Sequence, residues 1–227
     1  MPTPLLLLPG LLCDARLWRD VTPADAVVAD LTRDDSIAAM AGRAVAAMGD
    51  TPRFAVCGLS MGGYVALEVV RRFAPRVARL ALLDTSARPD TEEQTRRRRG
   101  LIALARQGRF RGVTPRLLPQ LIHPSRLETP LAEEVMEMAD RVGQPAFLRQ
   151  QAAIMGRIDS RPHLAAIAVP TLVGVGEEDA LTPPHLAEEM AAAIPGARLV
   201  TFAGCGHLPP MEDPPAVADV LRAWLHA

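Results

Sequence analysis

A serine lies at the centre of a Gly-x-Ser-x-Gly motif at residues 58–62. The apolar run 54–57 before the motif predicts a buried strand, and residues 64–71 after it have the pattern of a helix. A serine at a sharp turn between a strand and a helix is a nucleophile elbow, which presents its hydroxyl at the positive end of the helix dipole. The pattern therefore indicates nucleophilic catalysis by Ser60, with the Met61 amide directed at an oxyanion formed beside it.

The glycines of this segment have an alternative use, because Gly58, Gly62 and Gly63 can also form a turn that cradles a phosphate. Their spacing does not match G-x-G-x-x-G, and no Gly-Lys-Ser/Thr follows as a P-loop requires. The choice between the two interpretations depends on whether the chain also supplies a base, an acid and a second oxyanion donor.

A carboxylate and an imidazole follow two later strands. Asp179 comes after the predicted strand 169–176, and His207 comes after the predicted strand 198–202. A serine hydroxyl needs an imidazole to accept its proton, and the imidazole needs a carboxylate to fix its tautomer. Because parallel strands bind ligands at their carboxyl ends, Ser60, Asp179 and His207 are predicted to meet there. Taken singly, Asp179 can be a turn residue that caps a helix, and His207 can be a solvated loop residue.

Two further positions compete for or complete these roles. Asp84 also ends a predicted strand, 77–84, and is the rival candidate for the acid. The loop after the first predicted strand, 5–8, is the candidate for the second oxyanion donor through the Leu11 N–H, although such a loop can also be a simple connection. The remaining histidines are expected to be structural or solvated: His123, His163, His185 and His226.

Composition favours one globular domain of moderate size. The 227 residues carry a net charge of −1, which does not indicate a nucleic-acid partner. The apolar run near the N-terminus is too short for a signal peptide or a membrane span, so a cytoplasmic protein without membrane association is expected. The three cysteines are odd in number and lack C-x-x-C spacing, which indicates neither a disulfide framework nor a zinc site.

Apolar runs alternate with helical patterns along most of the chain, which predicts an α/β fold with a doubly wound, mostly parallel sheet of about six strands. Residues 26–30 are the second predicted strand, and Ser36 is the predicted N-cap of a helix over residues 37–48. Further helices are predicted over residues 184–194 and 214–226.

The alternation of predicted strands and helices stops in the middle of the chain. Residues 87–161 contain helix-like stretches and prolines but no strand-like run. Such a length predicts a helical lid (cap) inserted over the edge of the sheet, where it would exclude water and shape a pocket. The predicted domains are a core of residues 1–86 and 162–227 and a lid of residues 87–161.

Four segments of the chain resemble the α/β-hydrolase superfamily, and together they span nearly its whole length. They are Leu-Leu-Pro-Gly-Leu-Leu at 7–12, Gly-Leu-Ser-Met-Gly-Gly at 58–63, Val-Pro-Thr-Leu-Val-Gly-Val-Gly-Glu-Glu-Asp at 169–179 and Gly-Cys-Gly-His at 204–207. The chain is similar to small lidded serine esterases, enol-lactonases, carrier-protein methyl esterases and carbon–carbon bond hydrolases. The resemblance implies an α/β-hydrolase fold that lacks the leading hairpin, with strand order 2-1-3-4-5-6. Pro9-Gly10 replaces the His-Gly of many relatives, which leaves a backbone oxyanion donor intact.

The resemblance implies that Ser60 is the nucleophile, His207 the base and Asp179 the acid, with the Leu11 and Met61 amides as the oxyanion hole. The implied reaction is hydrolysis of a small carboxylic ester through an acyl-enzyme, with no metal and no organic cofactor. The alternatives are a lactone or carbon–carbon bond hydrolase on the same triad, or a non-catalytic small-molecule receptor. A run of four arginines at 96–99 can attract an acidic carrier protein, but a solvated lid helix is the favoured interpretation.

Overall fold

One parallel β-sheet forms the centre of the computed structural model, which describes residues 3–21, 23 and 25–226. Within those residues the strands are β1 (Leu5–Leu8), β2 (Val27–Val28), β3 (Phe54–Leu59), β4 (Val77–Leu83), β5 (Thr171–Gly176) and β6 (Arg198–Phe202). Their order is β2-β1-β3-β4-β5-β6, and each neighbouring pair is parallel. The predicted fold class and strand order are confirmed.

Helices connect the strands and cover the sheet. They are α1 (Ile37–Ala47), α2 (Met61–Phe73), α3 (Glu92–Leu104), α4 (Pro130–Met155), α5 (Pro184–Ala193), α6 (Pro209–Glu212) and α7 (Pro214–His226). Short 3₁₀ turns lie at Ala15–Trp18, Ala74–Arg76, Leu118–Gln120, Pro124–Arg126 and Arg161–Ala166, and a π turn lies at Ala105–Arg109. The predicted N-cap of α1 is present, because Ser36 Oγ accepts a hydrogen bond from the Ala39 N–H at 3.3 Å.

The two faces of the sheet support two apolar cores. Successive residues of β1 point to opposite faces, so Leu6 and Leu8 join one buried cluster while Leu5 and Leu7 join the other. The first cluster includes residues of α1, α2 and α5, and the second includes residues of α7 and the first half of α4. Burial on both faces explains why β1, β3 and β5 are apolar or glycine-rich without alternation.

Strand β2 is shorter than the sequence predicts, since it covers Val27–Val28 and not residues 26–30. It lies at the edge of the sheet and pairs with β1 alone. Asp30 then ends it by forming a turn, in which Oδ1 accepts a hydrogen bond from the Thr32 N–H at 3.0 Å. The side chain of Asp30 therefore competes with the strand ladder at this point.

The insertion segment (residues 87–161) contains α3, α4 and short helical turns, and no strand. Helix α4 changes direction at Gly143, whose φ is 76°, two residues before Pro145. The division of the chain into core and lid stays a prediction. Across the described residues, every helix is too short or too polar to cross a membrane.

Candidate active site

The turn between β3 and α2 is a tight elbow with Ser60 at its apex. Ser60 has φ 56° and ψ −116°, a conformation that non-glycine residues rarely adopt. A Cβ atom at Gly58 would lie 2.2 Å from the Gly62 carbonyl oxygen, and a Cβ at Gly62 would lie 1.9 Å from the Leu8 carbonyl oxygen. Only glycine fits at both positions, so the spacing of the motif is a direct consequence of how closely α2 approaches β1 and β3.

Neighbouring backbone and side-chain groups hold this strained turn in place. The Ser60 N–H donates to the Leu83 carbonyl at 3.0 Å, and the Ser60 carbonyl accepts from the Gly63 N–H at 2.9 Å and from Thr85 Oγ1 at 2.7 Å. The end of β4 therefore fixes the elbow, which is how a sparsely populated conformation persists at a site. The Ser60 side chain is free for chemistry, because its hydroxyl forms no hydrogen bond with a described residue.

Two backbone amides are candidates for binding an oxyanion next to Ser60. Met61 is the first residue of α2, so its N–H has no acceptor one turn earlier in the helix. In the loop after β1, the Leu12 N–H donates to Gln150 Oε1 at 3.1 Å and is therefore already in use. The Leu11 amide, one residue earlier in the loop, remains the candidate that the sequence predicts.

Asp179 and His207 form a buried hydrogen-bonded pair. Asp179 follows β5 and His207 follows β6, and these strands are neighbours in the sheet. His207 Nδ1 lies 2.8 Å from Asp179 Oδ2, and both residues are 3% exposed. A carboxylate accepts hydrogen bonds, so this contact requires the imidazole proton on Nδ1 and leaves Nε2 able to accept a proton.

Asp179 receives more hydrogen bonds than the one from His207. Its Oδ1 accepts from the Leu181 N–H at 2.8 Å and the Thr182 N–H at 3.0 Å, and its Oδ2 accepts from Thr182 Oγ1 at 2.6 Å. Burial by itself disfavours the charged form, but the charge of His207 and the hydrogen bonds from His207 and Thr182 outweigh it and lower the pKa of Asp179. The carboxylate therefore stays ionised and holds the imidazole in one tautomer.

A second buried carboxylate, Glu212, anchors the loop that carries His207. Its side chain accepts hydrogen bonds from the Gly206 N–H at 2.9 Å and the Leu208 N–H at 3.1 Å, which flank the histidine. It also accepts from the His123 N–H of the insertion segment at 2.7 Å. Sequence reasoning missed this residue, although a glutamate in a stretch that consists, apart from Asp213, of apolar residues and prolines (208–215) was the available signal.

The insertion segment contacts both loops of the site. The His207 N–H donates to the Leu121 carbonyl at 3.0 Å. Gln150 of α4 is 0% exposed and bridges two core loops, since its Nε2 donates to the Leu31 carbonyl at 3.2 Å while its Oε1 accepts from Leu12. Nothing in the local sequence distinguishes this glutamine from others in the same helix.

Asp84, the rival candidate for the acid, lies close to the pair but does not hydrogen-bond the imidazole. Single side-chain atoms of Asp84, Asp179 and His207 all lie within 4.8 Å of one another. Asp84 Oδ1 accepts from the Gly176 N–H at 2.8 Å, and its Oδ2 has no hydrogen-bond partner among the described residues. The structure thus pairs His207 with Asp179.

The other histidines and the thiols are not part of the hydrogen-bonded pair. His163, His185 and His226 are exposed, and His123 Nε2 lies 3.1 Å from Glu178 Oε1 in a surface contact. Burial raises the pKa of Cys13 and of Cys205 to about 12, which keeps both as thiols near neutral pH. Neither cysteine is a candidate nucleophile.

Comparison with known proteins places these features in a family. The model of the alpha/beta hydrolase family matches residues 5–220. A pimeloyl-[acyl-carrier protein] methyl ester esterase of Neisseria meningitidis (serogroup A, serotype 4A) is 32% identical over 190 residues, and the match covers 82% of this chain but only 61% of that protein.

Two solved structures are similar over almost the entire chain. A thermophilic esterase from Thermogutta terrifontis has a TM-score of 0.86 and 31% identity, and the match covers 99% of this chain and 89% of that one. The enol-lactonase from Burkholderia xenovorans LB400 has a TM-score of 0.86 and 25% identity, and the match covers 100% of this chain and 93% of that one. These relatives support the prediction of an ester-hydrolysing enzyme, and the family match confirms the resemblance inferred from the motifs: the chain belongs to the alpha/beta hydrolase family.

Proposed function

We propose that the chain is a serine hydrolase that cleaves a small carboxylic ester through an acyl-enzyme intermediate. The observation that carries the proposal is the buried His207–Asp179 hydrogen bond of 2.8 Å at the edge of the sheet where Ser60 occupies the strained elbow. Relatives named as esterases support the choice of an ester as the substrate class.

In the first half of the reaction, Ser60 Oγ attacks the ester carbonyl carbon while His207 Nε2 accepts the serine proton. The carbonyl oxygen becomes an oxyanion, which accepts hydrogen bonds from the Leu11 and Met61 amides. Asp179 stabilises the imidazolium. When the tetrahedral intermediate collapses, the carbon–oxygen bond to the alkoxide breaks, and the imidazolium returns its proton to the departing alcohol.

The second half repeats these steps with water. His207 removes a proton from the water molecule as its oxygen attacks the acyl carbon, and the same two amides hold the second oxyanion. The bond to Ser60 Oγ then breaks and the serine regains its proton from His207. The net change is ester plus water to carboxylic acid plus alcohol, with nucleophile, base and oxyanion donors all supplied by the chain.

The insertion segment serves as the lid in this proposal. Its Leu121 carbonyl contacts the loop of the proposed base, and its Gln150 contacts the loop of the proposed oxyanion donor. A lid with these two contacts covers the reacting carbonyl, limits access of water and determines which acyl and alcohol groups fit.

The decisive experiment is hydrolysis of a series of p-nitrophenyl esters of increasing acyl length by the wild type, Ser60→Ala and Ser160→Ala. We expect kcat to fall by roughly 10⁴- to 10⁶-fold in Ser60→Ala. Ser160→Ala is the matched control, because Ser160 lies outside the site, and it should retain wild-type turnover.

The same assay separates the alternatives. Faster turnover of lactones or β-diketones than of esters, still lost in Ser60→Ala, would keep the serine mechanism but change the reaction. A folded wild type that hydrolyses none of these compounds would contradict the proposal and favour a non-catalytic receptor.

A second candidate substrate, an ester carried on an acidic carrier protein, is favoured by the charge of the insertion segment. Residues 94–127 contain nine arginines and no Asp or Glu, in a chain whose net charge is −1. Seven of these arginines are exposed, and none of the seven forms a salt bridge with a described residue: Arg96, Arg97, Arg99, Arg106, Arg109, Arg111 and Arg116. The Neisseria relative is named for an acyl-carrier protein ester. The carrier and the expected cytoplasmic location both stay predictions.

The carrier is tested by replacing Arg96, Arg97 and Arg99 together with Glu. If a carrier docks here, the KM of the variant for a carrier-bound ester should be about 10-fold higher than that of the wild type, and the wild-type KM should increase with salt. The KM for a free methyl ester should be the same in both proteins. The control is a variant in which Arg33, Arg198 and Arg222, which are exposed elsewhere on the protein, are replaced with Glu in the same way. If KM for the carrier-bound ester is insensitive to both salt and the variant, the carrier proposal is wrong and the small free ester remains.

A further inference from the structure

Asp84 is a buried carboxyl group, and one of its oxygens receives no hydrogen bond from an N–H or O–H donor of the described residues. It follows β4 with 0% exposure and a φ of 45°, and its backbone N–H donates to the Gly174 carbonyl at 2.9 Å. Its Oδ1 accepts from the Gly176 N–H, but its Oδ2 has no hydrogen-bond partner among the described residues. An ionised carboxylate in this position would leave half of its charge buried without a donor, which is costly.

The groups that face Asp84 come from each neighbouring loop or helix: Asp179 after β5, the Cys205 thiol and His207 after β6, and Glu212 of α6. The two carboxyl groups among them, Asp179 and Glu212, add to this cost. Burial, and next the charge of Asp179, raise the pKa of Asp84 well above its ordinary value. Two carboxyl groups this close in a buried site cannot both ionise easily, and one of them retains a proton.

A proton fits between the two carboxyl groups better than a metal cation does. Both oxygens of Asp179 already accept hydrogen bonds, from the Leu181 and Thr182 amides, the Thr182 hydroxyl and His207. A cation would need several of these oxygens as ligands, whereas a proton needs only the contact of one Asp84 oxygen with the Asp179 carboxylate, which is among the causes that raise the pKa of Asp84. The unpartnered oxygen of Asp84 is therefore the available place for the proton.

We propose that Asp84 is a positioning residue that stays protonated near neutral pH and directs its carboxyl O–H at the Asp179 carboxylate. The inference rests on the proposed function, in which Asp179 orients His207. A protonated Asp84 leaves a single negative charge behind the imidazole. If both carboxyl groups were ionised, the second charge would favour the imidazolium form of His207 in the resting enzyme, and an imidazolium has no lone pair with which to accept the Ser60 proton.

Two substitutions separate a neutral Asp84 from a charged one. Asp84→Asn reproduces the neutral acid, because its amide oxygen can accept from the Gly176 N–H, its amide nitrogen can donate to Asp179, and asparagine tolerates positive φ. Asp84→Ala removes both interactions. We expect kcat to fall on the order of 10- to 100-fold in Asp84→Ala with little change in KM, and the conservative Asn variant to restore it.

The pH profile of kcat/KM then shows whether Asp84 is neutral or ionised. With Asp84 neutral, the acid limb of the profile has the same midpoint in the wild type and in Asp84→Asn. If Asp84 were a carboxylate, its replacement by Asn would remove a negative charge beside the imidazole and move that midpoint to lower pH by about one unit or more. Such a shift would overturn the proposal.

Protonation is also measurable without any substrate. The infrared spectrum of the wild type at neutral pH should contain the carbonyl band of a protonated carboxyl group that Asp84→Asn lacks, and absence of this band overturns the proposal. Because the folded state holds a proton that the unfolded state releases, the Tm of Asp84→Asn minus that of the wild type should grow as pH rises above about 4. If no ester is hydrolysed but the band is present, the proposed function fails while the protonation of Asp84 stands.

Discussion

Asp179 and Asp84 illustrate how environment decides the role of a residue. Both follow neighbouring strands and both are buried, yet Asp179 receives hydrogen bonds from His207, Thr182 and Leu181, whereas Asp84 receives one from Gly176. Burial, and next the charge of Asp179, raise the pKa of Asp84, whereas at Asp179 the charge of His207 and the hydrogen bonds outweigh burial and lower the pKa. Neighbouring charges and donors, and not the residue type, therefore assign the carboxylate to Asp179.

We expect Asp179→Asn to reduce kcat by about 10⁴-fold, because an amide at this position no longer fixes the Nδ1–H tautomer of His207. The measurement is steady-state ester hydrolysis, with circular dichroism to verify folding. Asp219→Asn is a suitable control, because this aspartate is exposed and its ion pair is with Arg222 on the same helix. A silent Asp179→Asn together with an inactive Asp84→Asn would show that the acid is Asp84.

The short helix α6 shows how one element fixes another. It places the Glu212 carboxylate beneath the loop of His207, where it binds the amides of Gly206, Leu208 and His123. A single carboxylate thus couples the loop of the proposed base to the insertion segment. The three contacts of Glu212 named here are with backbone N–H donors, and none of them is with a cationic side chain.

We expect Glu212→Gln to lower both stability and turnover. The glutamine NH₂ group would face backbone N–H groups whose hydrogen bonds the carboxylate accepts, and two donors cannot bond to each other. The free energy of unfolding should fall by about 2 kcal/mol, which corresponds to a Tm lower by about 4–8 °C. Turnover should decrease by about 10-fold as the loop loosens. Thermal unfolding and kcat are compared with Glu188→Gln, an exposed glutamate of α5. An unchanged Tm and kcat would contradict this role.

Across the whole molecule, the features that local sequence determines were predictable. Apolar runs identified the strands, and the family resemblance implied their order. The Gly-x-Ser-x-Gly spacing identified the elbow, because steric contact leaves no choice at Gly58 and Gly62. The contacts of Gln150 and Glu212 were not predictable, because each joins groups that lie far apart in sequence or depends on the path of a loop. The length of the edge strand β2 was overestimated, because a turn in which the Asp30 side chain accepts a hydrogen bond from Thr32 follows the strand closely.

Gln150 offers a test of whether the insertion segment and the sheet unfold together. Gln150→Leu leaves the Leu12 N–H and the Leu31 carbonyl buried without partners, which should cost about 3 kcal/mol in the free energy of unfolding and lower Tm by roughly 6–12 °C. We expect a single transition by both calorimetry and fluorescence. Gln107→Leu, at an exposed position of the same segment, is the control. A separate low-temperature transition confined to the variant would show that the segment unfolds by itself.

The insertion segment leaves the sheet after β4 and returns at β5, which are adjacent strands in which Leu83 pairs with Gly174. Hydrogen bonds of the sheet hold the two ends of the segment near each other whatever lies between them. Since the entropy of closing a loop grows only slowly with its length, a segment of different size can be exchanged at this junction without altering strand order. If the segment is the lid that we propose, substrate range can therefore diverge through replacement of one continuous stretch, while the elbow and the Asp179–His207 pair are inherited intact.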